Sequence, residues 1–218
     1  MAKLKVGILI SGRGSNMAAL IKAAQAADYP AEIACVISNK ADAGGLAIAS
    51  AAGIPTTVIS HRGYPDRESF DRAVSAALEK HGVGLVVLAG FMRIFSSWFP
   101  LHWAGRLINI HPSLLPSFRG LHVQQQAIDA GVRVSGCTVH FVIPDLDAGP
   151  IIAQAAVPVL QDDSEETLTA RILRQEHRLY PEVVRWFGDG RISTSANGVK
   201  VAVEGLPSGG TLLFSDEL

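Results

Sequence analysis

Three short stretches of this 218-residue chain combine residue types and spacings that could do chemistry. The first, Ser11-Gly12-Arg13-Gly14-Ser15-Asn16, stands where an apolar run gives way to a helical pattern. Glycines let backbone approach an anion closely, and the open N–H groups of a helix start add donors and a positive dipole end, so the segment suits a phosphate. A tight strand-to-helix turn with no ligand would use the same residues. A dinucleotide fingerprint wants a third glycine where Met17 stands, and an acidic ribose ligand where the second strand ends in Ser38-Asn39-Lys40. Lys40 leaves an NADP phosphate open as a partner.

The second stretch is Asn109-Ile110-His111-Pro112-Ser113. Residues two apart on a strand share a face, so Asn109 and His111 project together while Ile110 turns to the core. Pro112 has no N–H for a ladder and holds His111 extended, which ends the strand at the carboxyl edge where open α/β sheets bind ligands. An amide beside an imidazole suits a developing oxyanion in acyl transfer; a core Asn and a structural His would fit the same spacing. The third stretch, Asp145-Leu-Asp147-Ala-Gly149-Pro150, is a loop between two strands. A carboxylate there could reach an imidazole, hold its tautomer and raise its pKa from about 6.5 by ~1 to 3 units. Either Asp could equally be an ordinary turn residue. His61, His81 and His102 occupy loop or helix-end contexts and read as solvated. The absence of HExxH and of a Cys cluster argues against a metal site, and the absence of G-x-S-x-G argues against a serine hydrolase.

These stretches need elements to position them. Short β-branched and Leu-rich runs alternate with helical patterns, the signature of an α/β fold with a largely parallel sheet. Residues 5–9, 32–37, 55–59 and 84–89 read as strands, with helices over 16–26, 43–52 and 67–80. In the last of these Phe70, Val74, Ala77 and Leu78 repeat at helical spacing and Gly82 stands ready to stop it. Further on, 106–111, 137–143 and 151–159 read as strands and 123–130 as a short helix. A long helix opens at Asp163-Ser-Glu-Glu166, a start resembling a capping box, and Pro181 should kink or end it near Tyr180, with a further turn reaching Gly188-Asp-Gly190. Asn197-Gly198 suggests a hairpin and Pro207-Ser-Gly-Gly210 a loose tail.

Composition bounds the function. Lys+Arg of 19 against Asp+Glu of 20 gives a net charge of -1, which argues against nonspecific binding to nucleic acid or anionic lipid. With 48% hydrophobic and 18% charged residues the chain is not disordered, and its length suffices for a core without disulfides or metal. Cys35 and Cys137 lie in separate apolar runs and read as reduced, buried thiols. The opening residues lack a signal-like apolar region and the longest uncharged apolar stretch, 83–92, is too short to span a bilayer. A soluble cytoplasmic protein is expected, with one domain over 1–190 and a C-terminal hairpin and tail over 191–218 that is not a separate domain.

Taken together, Ser11-Gly-Arg-Gly-Ser-Asn16, Ile37-Ser-Asn-Lys40, Ala89-Gly-Phe-Met-Arg-Ile94, Asn109-Ile-His-Pro-Ser-Leu-Leu-Pro116, Val139-His-Phe-Val142 and Leu146-Asp-Ala-Gly-Pro-Ile151 resemble the phosphoribosylglycinamide formyltransferase family, in the family's order, over about residues 4 to 190. The resemblance implies a Rossmann-like fold, a mostly parallel twisted sheet with helices on both faces. It also implies transfer of a formyl group from 10-formyltetrahydrofolate, a cosubstrate, to the amine of glycinamide ribonucleotide in purine biosynthesis, with no metal, by a monomer or homodimer whose partners are small molecules. By the same resemblance Asn109, His111 and Asp147 are catalytic. Gly12, Arg13, Gly14, Ser15, Asn16 and Glu176 hold the ribonucleotide. Arg67, Met92, Arg93 and Ile94 contact folate together with Asn109 and Asp147, and Ser113 and His140 support the site. Arg119 and Val123 depart from the residues expected in the 118–124 loop.

Three rivals share parts of this pattern. A formyltetrahydrofolate deformylase would carry an N-terminal regulatory domain and have no use for the phosphate loop. A methionyl-tRNA formyltransferase shares the Ser-Leu-Leu-Pro stretch and a similar Ser117-Phe-Arg-Gly120, but needs a basic C-terminal domain where 191–218 offers only Arg191 and Lys200 as cations. A noncatalytic nucleotide sensor leaves Asn109, His111 and Asp147 without a purpose.

Overall fold

The computed structural model describes residues 2–194 and 201–205. The expected Asn197-Gly198 turn and the Pro207 to Gly210 tail lie outside the described residues. Two compact units divide the chain within its fifth strand, Met1–Asn109 and Ile110–Leu218.

The first unit is built from parallel β/α repeats. Strands β1 (Leu4–Ile10), β2 (Ala31–Ser38), β3 (Thr56–Val58), β4 (Leu85–Leu88) and β5 (Leu107–His111) pair in the order β3-β2-β1-β4-β5, and each pairing is parallel. The apolar runs make the centre of the sheet: Val6, Ile8, Leu9 and Ile10 of β1 and Val86 and Val87 of β4 are fully buried, as strands covered on both faces must be. Helices α1 (Ser15–Ala24), α2 (Gly45–Ala51) and α3 (Arg67–Lys80) connect them. Asp66 caps α3 by accepting from the Ser69 N–H at 2.7 Å, while Gly82, at φ +66°, ends it. No local pattern announces α4 (Trp98–His102), a five-residue helix without a side-chain cap. It is held by stacking of Phe91 on Phe95 and of Phe95 on Phe99, the latter with centroids 4.1 Å apart.

The second unit carries α5 (Val123–Asp129), the strands β6 (Val134–Phe141) and β7 (Ile151–Pro158), the helix α6 (Glu165–Gly188), and a short antiparallel pair, β8 (Ile192–Thr194) with β9 (Val201–Val203). β6 and β7 pair antiparallel. β6 begins three residues before the expected strand and stops two before its expected end, because its pairing partner rather than its own propensity sets its length. A Cβ at Gly136 would collide with the Ala155 carbonyl, and one at Gly149 with the Phe141 carbonyl. Hydrogen bonding orders all seven strands β3-β2-β1-β4-β5-β6-β7, a mostly parallel, Rossmann-like α/β sheet.

Pro181 does not end α6, which continues to Gly188. The ring removes one N–H from the helical ladder. Beyond it, however, Val183, Val184 and Trp186 remain buried, and burial of three large apolar side chains at about 1.5 to 3 kcal/mol each outweighs a penalty of about 3 kcal/mol. The helix opens on a capping box: the Ser164 hydroxyl accepts from the Thr167 N–H at 3.2 Å, and the Ser164 N–H donates to Thr167 Oγ1 at 2.9 Å.

Candidate active site

In the first unit, β1 hands over to α1 through the glycine turn. Gly14 is the N-cap at φ +74°, a left-handed conformation that favours glycine, and no side chain caps the helix there. A Cβ on Gly14 would lie 3.0 Å from the Gly45 Cα and from Met17 Cε, and the Gly45 N–H donates to the Gly12 carbonyl at 3.1 Å. The turn is therefore packed backbone against backbone. On its other side Gly12 faces open space, Arg13 is exposed, and Ser15 and Asn16 are half-buried. A helix start without a side-chain cap leaves backbone N–H donors of the kind that can receive an anion.

The loop after β4 enters the same unit's carboxyl edge. Met92 and Ile94 are exposed at 65% and 60%, large apolar side chains on an open surface, with Arg93 half-buried between them. Both ends of this loop are tied down. At one end the Met92 N–H donates to Ser11 Oγ at 2.8 Å. At the other, Asp71 Oδ2 accepts from the Ser96 N–H at 2.7 Å and from the Ser96 hydroxyl at 2.6 Å. Burial raises the Asp71 carboxyl, opposed by the Ser96 hydrogen bonds and by the Arg93 and Arg67 charges. Arg67 itself is exposed at the start of α3. Asn109 is half-buried in the middle of β5, in register with Leu88.

The second unit assembles the imidazole and carboxylate. His111, 5% exposed, places Nδ1 3.6 Å from Asp147 Oδ2. Its Nε2–H donates to the Phe118 carbonyl at 2.9 Å, which also accepts from the Ser113 hydroxyl at 2.9 Å. Both ring nitrogens thus face oxygen acceptors, an arrangement that accommodates a proton on each. Asp147 Oδ2 accepts in addition from the Gly120 N–H at 3.0 Å. Asp147 stands at φ +47°, and Phe118 and His122 on the facing loop stand at φ +54°; Asp and His tolerate this region, but Phe118 is strained there.

His140 lies on the far side of the same carboxylate, Nε2 to Asp147 Oδ1 3.9 Å. Its Nδ1–H donates to the Phe141 carbonyl at 2.9 Å, and burial holds its pKa below the ordinary histidine value, with the His111 charge acting the same way against the opposing Phe141 and Asp147 contributions. A neutral His140 leaves Asp147 to pair with His111. Thr138 fixes the turn that follows β5: its hydroxyl donates to the Ser113 carbonyl at 2.7 Å and accepts from the Leu115 N–H at 3.0 Å and from Gln154 Nε2 at 3.0 Å.

Of the residues singled out in sequence, His111, Asp147, His140 and Ser113 converge in one cluster, and Gly12 to Asn16 form one turn beside which Met92 is anchored. Glu176 is buried on α6 and adds its charge to the burial that pushes the Cys137 thiol up. Asp71 and Thr138 escaped the sequence reading, and Ser11 and Gly120 were read only as parts of their stretches, without the contacts they make. Asp71 and Ser75 left one signal: both are polar residues on the buried stripe of α3 formed by Phe70, Val74 and Leu78. Among the described residues no group of three or more His, Cys, Asp and Glu could hold a metal ion, and no helix is long and apolar enough to cross a membrane.

The sheet carries a glycine turn after its first strand, an imidazole at the end of its fifth and a carboxylate in the loop after its sixth. The formyl transferase family model matches residues 4–184, and the chain belongs to that family. It is 45% identical to Escherichia coli phosphoribosylglycinamide formyltransferase, over 95% of this chain and 98% of that protein. It is 49% identical to the Bos taurus trifunctional purine biosynthetic protein adenosine-3, over 90% of this chain but only 19% of that protein, so it spans about a fifth of the animal relative. The crystal structure of phosphoribosylglycinamide formyltransferase from Anaplasma phagocytophilum superposes with a TM-score of 0.89 at 47% identity, covering 98% of this chain and 100% of that one. A formyltetrahydrofolate deformylase from Pseudomonas syringae gives 0.84 at 31% identity, covering 92% of this chain and 66% of that one.

Proposed function

We propose that this enzyme transfers the formyl group of 10-formyltetrahydrofolate to the amine of glycinamide ribonucleotide, in the cytoplasm, within a formyltransferase domain over 1–190 to which 191–218 is an appendage. The observation that carries the reading is the buried His111–Asp147 pair at 3.6 Å. In the proposed mechanism the uncharged amine attacks the formyl carbon, and the carbonyl oxygen gains negative charge that an imidazolium at His111 and the Asn109 amide stabilise. Asp147 favours the charged ring and passes protons from the incoming amine to the departing folate nitrogen. Gly12, Arg13, Gly14, Ser15 and Asn16 hold the substrate phosphate, Glu176 the glycinamide end, and Arg67, Met92, Arg93 and Ile94 the folate. His111 must exchange its Phe118 carbonyl partner for the oxyanion, so the strained 118–122 loop shifts when substrates bind.

The glycine turn favours this reading over deformylation, because water as acceptor brings no phosphate. A spectroscopic assay of tetrahydrofolate release decides the matter. Release is expected only with both substrates present; release with 10-formyltetrahydrofolate alone at a comparable rate would replace the transferase by a hydrolase.

A further inference from the structure

The Ser11 hydroxyl occupies a position that the mechanism does not use. It is 5% exposed and sits at the carboxyl end of β1, between the carboxyl ends of β2 and β4, the two strands that flank β1. Its one proton goes to Asn39 Oδ1 at 2.6 Å, directly after β2, and its lone pair takes the Met92 N–H at 2.8 Å, after β4. Its own N–H donates to the Gly90 carbonyl at 3.1 Å. Asn39 is 4% exposed, so the proton has no water to turn to, and the hydroxyl can rotate away only by breaking both bonds. The next residue, Gly12, begins the glycine turn, and Gly12 is tied onward to Gly45. One side chain therefore joins the turn suited to a phosphate with the loop that exposes Met92 and Ile94.

We propose that Ser11 is a positioning residue that couples the two substrate sites: fixing the glycine turn around a phosphate fixes the Met92 N–H, and with it the folate-contacting loop, so each substrate binds more tightly in the presence of the other. This rests on the formyl-transfer reading. A hydroxyl bonded on both sides transmits displacement because neither neighbour can move without loss of a buried hydrogen bond. By linkage the coupling is reciprocal.

Calorimetry with glycinamide ribonucleotide, run with and without saturating tetrahydrofolate, measures the coupling without turnover. The native enzyme is expected to bind the ribonucleotide about tenfold more tightly with tetrahydrofolate present, the equivalent of one buried hydrogen bond. Ser11→Ala is expected to bring that factor close to one and to raise KM for both substrates more than it lowers kcat, and Ser11→Thr, which keeps the hydroxyl, to restore it. Should Ser11→Ala fold poorly, Asn39→Ala removes the proton acceptor while Ser11 stays in place, and the same loss of coupling is expected. An unchanged factor in the folded variants, or no coupling in the native enzyme, overturns the proposal. Absence of formyl transfer by the native enzyme would instead overturn the functional reading.

Discussion

His111 is held between two oxygens, the Phe118 carbonyl on one ring nitrogen and Asp147 on the other, and turnover should depend on both its donors and its partner. His111→Ala is expected to lower kcat by roughly 10²–10³, the usual cost of removing one oxyanion donor. Asp147→Asn keeps an oxygen for the Gly120 N–H but loses the charge, and should lower kcat with little change in thermal midpoint. Near-native kcat in both variants, measured by stopped-flow or steady-state assay, would remove these residues from the mechanism. The two cysteines behave in the opposite way. Burial pushes the Cys35 thiol up to about 11 and raises Cys137 further, with Glu176 adding to the effect. Both are free and buried, so neither should react with a thiol reagent at pH 8 until denaturant is added. Rapid labelling of the folded enzyme would contradict the burial described here.

At the scale of elements, two junctions set the shape of the second unit. Gly149 lies against the Phe141 carbonyl so closely that a Cβ has no room, and the obstacle is backbone, which cannot rotate aside. Gly149→Ala should destabilise by about 1 to 3 kcal/mol or more, read as a lower denaturation midpoint, and should cut activity because Asp147 is two residues away. A midpoint equal to native would show the β6–β7 connection to be looser than the structure has it. At the start of α6, Asp163 receives Arg171 through two bonds, 2.6 and 2.9 Å, and Arg171 first, then the Leu160 N–H and the Thr167 hydroxyl, hold its carboxyl at about 2 against the opposing effect of burial. Because the folded value is depressed, the stabilisation is present above the unfolded carboxylate range near 3.9 and is lost as pH falls from there through about 2. Arg171→Ala should remove this part of the acid denaturation curve, and an identical curve would rule the pair out as a contributor.

For the molecule as a whole, ligands that bind only the folded state raise its stability by mass action. Glycinamide ribonucleotide at a hundred times its dissociation constant should add about 2.7 kcal/mol and shift the thermal midpoint upward by several degrees. NADP should leave it unchanged, since Met17 replaces the third glycine of a dinucleotide fingerprint. A shift with NADP of the same size would reopen the dinucleotide reading that Lys40 left available.

The local signals held where one element decides its own fate. Period and punctuation placed α3 at Arg67–Lys80 with Gly82 behind it, and the strands that carry continuous apolar runs appeared within a residue or two of expectation. Pattern failed where a neighbour decides: Pro181 breaks a helix in isolation but not one whose next turn buries Val183, Val184 and Trp186, and α4 exists because three phenylalanines stack.

Asn109 lies two residues from His111, and the glycine turn is one run of six residues, so each was legible as chemistry by itself, because residue type and strand or helix periodicity act over a few positions. Residue type alone left Asp147 one of two carboxylates in a loop, the family resemblance picked it out, and folding sets it 3.6 Å from His111. Ser11, Asp71 and Thr138 gave little sign of their roles, since each works through a bond to a distant segment. Distances between segments are set by packing, which no local stretch of sequence encodes.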